Sequence, residues 1–342
     1  MEGPPTPTPV APEHVVSSDG QTVQLSSSPP AEQPTAIVSQ PAPGSSPTLS
    51  TVASARPRVP PSLGPYDLLD ELGHGGMGIV YRARHRELGS LCAVKILIAG
   101  EYASPDAIAR FQREAGAVAR MGKHPNVISV FDMGTEGNLA YYAMELVHGR
   151  SLATLLRERR PTLSEAALLV EKVARALHHA HRHGVIHRDV KPDNIVIRED
   201  GEPQVMDFGL AREVGGGDRL SVTGEVMGTP AYMAPEQARG LPGATDARTD
   251  VYALGAVLYE ILAGRPVRTG GTVLEMIEKV VLGDVVPPRR LRSDLPPDLE
   301  TVCMKCLEVE PSNRYATAEA VAEDLARFQR GEPVLARPVP AA

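Results

Sequence analysis

Tryptophan is absent from this 342-residue sequence, and Phe and Tyr are sparse at four and nine residues. Packing must therefore rest on Leu, Val, Ile and Ala. Cysteine is scarce as well. Three residues cannot build a disulfide framework, and they fit a reducing compartment. There is no basic excess, because 35 Lys and Arg face 42 Asp and Glu and leave a net charge of −7. That balance argues against a dedicated nucleic-acid binder, though not against phosphate chemistry, which needs only a few local cations. The N-terminus shows no basic-then-apolar leader. No uninterrupted apolar run approaches the ~20 residues that span a bilayer. The best, Val251 to Tyr259, stops at Glu260. The chain as given is expected to be soluble and cytoplasmic, with neither membrane nor nucleic acid as a partner. Its 42% apolar and 23% charged residues are near globular averages and suffice for a sizeable core.

Proline is plentiful but uneven. Fourteen of the 32 Pro fall in residues 1–64, where no Phe or Tyr occurs and Ser and Thr are dense. Such a segment buries too little apolar area to offset its chain entropy, so it reads as a disordered, partly polyproline tail. A globular pattern begins near Tyr66. Strand-like stretches run from Tyr66 to Leu72, Gly78 to Arg84 and Leu91 to Ile98, at the spacing of an antiparallel meander. A helix follows at about 104–121, with Ser104 as N-cap and Pro105 in its first turn. Two more strands read from Val127 to Met133 and from Leu139 to Val147. After Gly149 the period becomes helical. Ser164 reads as the cap of a long helix with an apolar face of Ala167, Val170, Val173, Ala174 and Leu177, ended by Gly184. Later helices read at about 246–263, 272–282, 297–307 and 317–328. Residues 331–342 return to Pro and Ala, as a flexible tail.

Within this frame sit the residues that carry chemistry. Gly73-His74-Gly75-Gly76-Met77-Gly78 fits G-x-G-x-x-G, a weak signal alone. Here it joins two expected strands, where a Rossmann loop would lead into a helix. A glycine-rich strand–turn–strand can lie flat over polyphosphate, its N–H groups bonding the oxygens. Ala93-Val94-Lys95-Ile96 places one cation in an apolar strand, and a buried ammonium needs a partner, which Glu114 in the following helix can supply. His187-Arg188-Asp189-Val190-Lys191-Pro192-Asp193-Asn194 is the strongest signal. Six specified positions at fixed spacing arise by chance in about one chain of this length in 10⁵. The loop holds an acceptor for a hydroxyl proton, a cation for a phosphate and an amide to ligate metal. Asp207-Phe208-Gly209 follows with a second metal-binding carboxylate.

The ordered set resembles the eukaryotic-like (Hanks-type) serine/threonine protein kinases. It continues with Gly228-Thr229-Pro230, Ala234-Pro235-Glu236, Asp250-Val251-Tyr252-Ala253-Leu254-Gly255 and Arg314. The wording Gly76-Met77-Gly78 and Met233-Ala234-Pro235-Glu236-Gln237 is similar to bacterial members. The resemblance implies an α+β, two-lobed protein kinase fold over residues 65–330. A small antiparallel β lobe with one helix (65–147) would precede a larger, mainly helical lobe (148–330). ATP would lie between them. Bacterial relatives often continue into a membrane helix and a sensor domain, so the chain is either a soluble form or a fragment.

The family's roles carry over by position. Leu72, Gly73, His74, Gly75, Gly76, Met77 and Gly78 would cover the nucleotide, the glycines at its phosphates. Lys95 would hold the α- and β-phosphates and pair with Glu114. Val80 and Ala93 would sandwich the adenine, with Met144 behind it and Glu145 to Val147 as the hinge. Asp189 would accept the substrate hydroxyl proton, Lys191 would neutralise the γ-phosphate, and Asn194 and Asp207 would hold Mg²⁺ or Mn²⁺. Glu236 with Arg314, and Asp250 beneath the catalytic loop, would be structural. Lys191 and Thr229 favour Ser/Thr over Tyr acceptors. The activation loop offers Ser221 and Thr223 as phosphosites, opposite Arg188 and Arg212, with self-association for trans-autophosphorylation. Partners would be proteins with Ser or Thr acceptors. A nucleotide-binding scaffold and a small-molecule kinase of similar fold are the alternatives. The intact Thr229-Pro230 and Ala234-Pro235-Glu236 segment argues against the latter. His178, His179, His181 and His183 run round their helix rather than along one face, and Cys303 and Cys306 fall on the apolar side of theirs, so neither group reads as a metal site.

Overall fold

The computed structural model describes residues 60–75, 78–97, 105–208, 230–240 and 243–337, without the side chains of 105–107, 110 and 114. A six-stranded antiparallel sheet comes first. Its strands are β1 (Ser62–Leu63), β2 (Tyr66–Gly75), β3 (Gly78–His85), β4 (Leu91–Leu97), β5 (Val130–Glu136) and β6 (Leu139–Met144), in spatial order β1-β2-β3-β4-β6-β5. Helix α1 (Pro105–Arg120) lies between β4 and β5 in sequence. Strand β4 is central, so its apolar run is buried from Cys92 to Leu97. The period of two sorts it cleanly. Cys92, Val94 and Ile96 join Tyr141 and Ala143 of β6 in one cluster. Ala93 and Leu97 join Phe111 and Ala115 of α1 and Tyr142 and Met144 of β6 in the other. Lys95 shares the parity of Ala93 and Leu97, so the pleat alone turns it toward the α1 side of the sheet.

The second region is helical around one core. A small sheet of β7 (Gly149–Ser151), β8 (Ile195–Arg198) and β9 (Pro203–Val205) carries the loops that matter for function. The helices are α2 (Leu152–Glu158), α3 (Leu163–Arg182), α4 (Pro235–Arg239), α5 (Ala247–Ala263), α6 (Val273–Leu282), α7 (Pro297–Cys306) and α8 (Ala318–Gln329). Helix α5 is buried on all sides from Thr249 to Tyr259, which accounts for its apolar run as a central core helix. No helix among the described residues is long and apolar enough to cross a membrane. Helices α5 and α7 approach closely at Gly255, where a Cβ would sit 2.4 Å from that of Cys306. Cys303 and Cys306 are both fully buried there, as core residues.

Several boundaries differ from the sequence expectation. The long helix is capped by Thr162 rather than Ser164. The Thr162 hydroxyl accepts from the Glu165 N–H at 3.2 Å, and Glu165 accepts from the Thr162 N–H at 2.7 Å, a reciprocal capping box. Arg159 and these bonds hold the Glu165 carboxyl down at about 2. The strand expected from Val127 starts at Val130, because Val127 instead bridges in parallel to Val205 of β9. The tail expected to end at residue 64 does not include Ser62 and Leu63, which pair with β2, Leu63 being fully buried. The tail expected from 331 is docked as far as Ala336. Leu335 and Ala336 donate their N–H groups to Asp324 at 2.7 and 2.9 Å, and Tyr315 donates its hydroxyl to the same buried carboxylate at 2.8 Å. The short elements α2, β7–β9 and α4 were not expected. Ser104 and the rest of the two tails lie outside the described residues.

Candidate active site

The loop between α3 and β8 is fixed from below by its backbone. Asp250, in the first turn of α5 and wholly buried, accepts three bonds of 2.7 Å, from the N–H groups of His187 and Arg188 and from His181 Nε2. Arg188 is a non-glycine residue in the left-handed region at φ 64°. Such a conformation costs about 1–3 kcal/mol and persists only where its surroundings enforce it. Here the Asp250 carboxylate does so. His187 is fully buried. Its Nε2 donates to the Met206 carbonyl at 2.9 Å and its Nδ1 accepts from the Asp189 N–H at 3.3 Å, which sets its tautomer. The ring also stacks on Phe208 at 4.7 Å between centroids.

Above this base the polar side chains converge. Asp189 Oδ2 accepts from Lys191 Nζ at 2.7 Å and from Asn194 Nδ2 at 3.1 Å. The same Asn194 nitrogen donates to the Asp189 carbonyl at 2.8 Å, which leaves the amide oxygen for a cation. The Met206 N–H donates to the Asn194 carbonyl at 2.9 Å, and this bond brings Asp207 beside the loop. Asp207 is the second left-handed non-glycine, at φ 56°. Its Oδ1 accepts from Lys95 Nζ at 2.6 Å, joining the sheet to the helical region. Burial opposes ionisation of Asp207, but Lys95, with Lys191, holds its carboxyl below the usual range. It is therefore a carboxylate near neutral pH. The hard oxygen donors of Asp207 and Asn194, flanked by two ammonium groups, suit a Mg²⁺ or Mn²⁺ ion shared with phosphate oxygens.

The residues expected to face a nucleotide fall as the register dictates. Val80 pairs with Lys95, and Ala93 pairs with Met144. Val80, Ala93, Met144, Leu146, Val147 and Met206 belong to one apolar cluster. Leu146 falls within the expected hinge, whereas Met206 carries no signal in the sequence beyond adjoining Asp207. The Glu145 carboxylate accepts from buried Gln204 at 2.9 Å, so a hinge role at Glu145 falls to its main chain. Leu72 is exposed, and His74 Nδ1 lies 3.1 Å from Glu71 Oε1. A Cβ at Gly73 would meet nothing within 4 Å, whereas one at Gly78 would lie 2.1 Å from the Ile96 carbonyl oxygen. Gly73 therefore leaves open space, while Gly78 is required by the approach of β4. Gly76, Met77, Gly209, Ser221, Thr223, Thr229 and the Glu114 side chain lie outside the described residues.

On the far side of the loop, Glu236 and Arg314 form a buried pair. Arg314 donates to both carboxylate oxygens at 2.8 and 2.7 Å, and to the carbonyls of Glu308, Arg248 and Val309 at 2.8, 2.9 and 2.9 Å. All five guanidinium donors are used. Thr249 donates its hydroxyl to Glu236 as well, at 2.8 Å. Nearby, the Tyr232 hydroxyl donates to Glu260 of α5 at 2.5 Å, tying the segment after residue 229 to the core helix. Three of the four histidines at the end of α3 make structural bonds: His179 with the Met121 carbonyl, His181 with Asp250, and the C-cap His183 with the His179 carbonyl.

A β sheet with one helix, a helical region beneath it, and Lys95, Asp189, Lys191, Asn194 and Asp207 gathered at their junction define the protein kinase fold. Residues 66–325 match the protein kinase domain family. The chain is 41% identical over 273 residues to the serine/threonine-protein kinase PknB of Mycolicibacterium smegmatis, covering 78% of this chain and 43% of that protein. It is 40% identical over 274 residues to PknB of Mycobacterium tuberculosis, with the same coverage. Among solved structures, a point mutant of the PknI kinase domain of Mycobacterium tuberculosis superposes with a TM-score of 0.62 at 28% identity, over 79% of this chain and 97% of that one. The chain belongs to the protein kinase family, in its bacterial serine/threonine branch. It spans less than half the length of the curated relatives it matches.

Proposed function

We propose that residues 60–337 are a catalytic domain that transfers the γ-phosphate of MgATP to Ser or Thr hydroxyls of proteins. The observation that carries this reading is the junction itself, where Asp189, Lys191 and Asn194 form one hydrogen-bonded group beside the Lys95–Asp207 contact. The acceptor oxygen bonds to the γ-phosphorus as the bond from that phosphorus to the β,γ-bridging oxygen breaks, and ADP leaves. Asp189 takes the hydroxyl proton, which costs nothing in geometry because its backbone is already held through His187 and Arg188. Lys191 leaves Asp189 for the γ-phosphate oxygens, and Lys95 bonds the α- and β-phosphates. Asn194 and Asp207 would hold a Mg²⁺ or Mn²⁺ ion, which would supply charge neutralisation for the phosphates. The residues of this domain act from a cytoplasmic location, where the nucleotide is found.

The same reading extends to the chain's own loop. Phosphate on Ser221 or Thr223 carries about −1.5 to −2 charge and would meet the cations Arg188 and Arg212, ordering the acceptor groove through trans-autophosphorylation between two copies. The experiment is incubation of the purified chain with MgATP and a generic Ser/Thr substrate, followed by phosphosite mapping. Nucleotide binding without any phosphotransfer would favour the scaffold reading. Full activity in both a Ser221→Ala/Thr223→Ala variant and phosphatase-treated protein would remove the loop switch alone.

A further inference from the structure

Gln237, the residue after the Ala234-Pro235-Glu236 motif, touches two segments at once. Its Nε2 donates to the Arg188 carbonyl at 2.9 Å, and its Oε1 accepts from the Ala234 N–H at 3.1 Å. Both ends of the amide are thus committed. Only a neutral amide of this length can donate at one end and accept at the other, so Glu, Leu and Met all lose at least one bond. Arg188 is the strained residue immediately before Asp189. Its N–H is taken by Asp250 Oδ1 at 2.7 Å, and its carbonyl by Gln237. The two peptide units that flank Arg188 are therefore each gripped. Asp250 grips the one before it, from the core helix α5, and Gln237 grips the one leading into Asp189, from α4, which begins directly after the segment at 230–234. That carbonyl belongs to the peptide whose N–H is the Asp189 N–H, bonded in turn to His187 Nδ1 at 3.3 Å. Rotation of this peptide would swing the Asp189 carboxylate away from Lys191 and Asn194.

We propose that Gln237 is a positioning residue for Asp189. It couples the acceptor-side segment to the catalytic loop, so that the carboxylate is set for proton transfer only while residues 230–240 are seated. This rests on the phosphotransfer reading above. The residues proposed to face the nucleotide, Val80, Ala93, Lys95 and Met144, lie on the sheet, whereas the hydrogen bonds of Gln237 go to Arg188 and Ala234, so the coupling acts on the acceptor step and not on ATP binding.

The experiment compares Gln237→Glu and Gln237→Leu with wild type in steady-state phosphorylation of a Ser/Thr peptide. Nucleotide affinity and thermal melting are followed in parallel. Gln237→Glu keeps an acceptor for the Ala234 N–H but cannot donate to the Arg188 carbonyl, whereas Gln237→Leu loses both bonds. Loss of one part-buried hydrogen bond in the approach to the transition state predicts a fall in kcat of about tenfold for both variants. The KM for MgATP should stay within about twofold and melting should remain cooperative. Wild-type kcat in Gln237→Glu would overturn the proposal, since the Ala234 bond would then be the one that matters. A matching loss of nucleotide affinity would also overturn it, by reducing Gln237 to general support of the fold. An inactive wild type would instead sink the phosphotransfer reading, and is told apart by that control.

Discussion

The two regions of this domain treat buried charge in opposite ways. In the helical region, Glu236, Asp250, Arg314 and Asp324 are almost wholly buried and each makes three or more hydrogen bonds within that region. In the sheet region, Lys95 is the one charged side chain buried among the described residues, and its bond runs out of the region to Asp207. A saturated buried charge maintains geometry and has no capacity left for a ligand. A buried ammonium that bonds one carboxylate among the described residues keeps donors for a ligand. The first kind should register in stability and the second in activity, and each can be broken separately.

The largest effect is expected from Lys95→Met. It removes the cation proposed to bind phosphate at nearly constant volume, so phosphotransfer should be nearly abolished while melting stays cooperative and close to wild type. A melting temperature that collapses with activity would erase the distinction between the regions. Asp189→Asn should come next. It keeps the shape of the loop and removes the proposed proton acceptor, so kcat should drop about 10²–10⁴-fold, roughly 3–5 kcal/mol of barrier, with ATP affinity little changed. Titration of nucleotide binding beside turnover checks both halves of that statement.

Arg314→Met tests the other side of the comparison. It leaves Glu236 buried without its partner, and denaturant unfolding should show a loss of about 3–5 kcal/mol. The effect has a pH signature. Burial pushes the Glu236 carboxyl up, but Arg314 holds it below the usual range in the folded state. The pair's stabilisation is therefore present above the ordinary glutamate range and is lost as pH falls through the depressed folded value. In the variant the uncompensated carboxyl is raised, so acid should narrow the gap to wild type. A gap that widens in acid would contradict the assignment. The smallest effect belongs to Thr162→Ala, which removes the side-chain acceptor of the α3 capping box and should cost about 1 kcal/mol. Ser164→Ala, in the first turn but not the cap, should cost less.

That last pair shows where sequence reading succeeds and where it fails. The convergence of Lys95, Asp189, Lys191, Asn194 and Asp207 at one junction was legible because the resemblance carried their spacing with it. The Glu236–Arg314 pair and the Asp250 brace were legible through the same resemblance. The cap was misplaced by two residues because Ser164 is a good capper by type, and the competing signal, Glu165 three residues after Thr162, lay in the other half of the box. Strands β7 to β9 escaped because three or four residues are too few for a period to show. The return of residues 334–336 onto Asp324 carries no local pattern at all, since its partner is a single carboxylate eleven and twelve positions back. Gln237 is similar, a polar residue on a short helix whose meaning lies in a carbonyl 49 residues earlier.

Asp324 has a practical consequence for anyone cutting this domain out of a longer gene. The family match ends at residue 325, and a designer who trusted that limit would place a stop codon one residue beyond a fully enclosed carboxylate. Two of the three groups that hold it, the amides of Leu335 and Ala336, would then be missing, and Asp324 would face a gap instead of donors. The edge of an evolutionary profile marks where sequences cease to align. The edge of a physical unit is where the last buried polar atom finds its bond, and among the described residues that edge lies at least eleven residues further on.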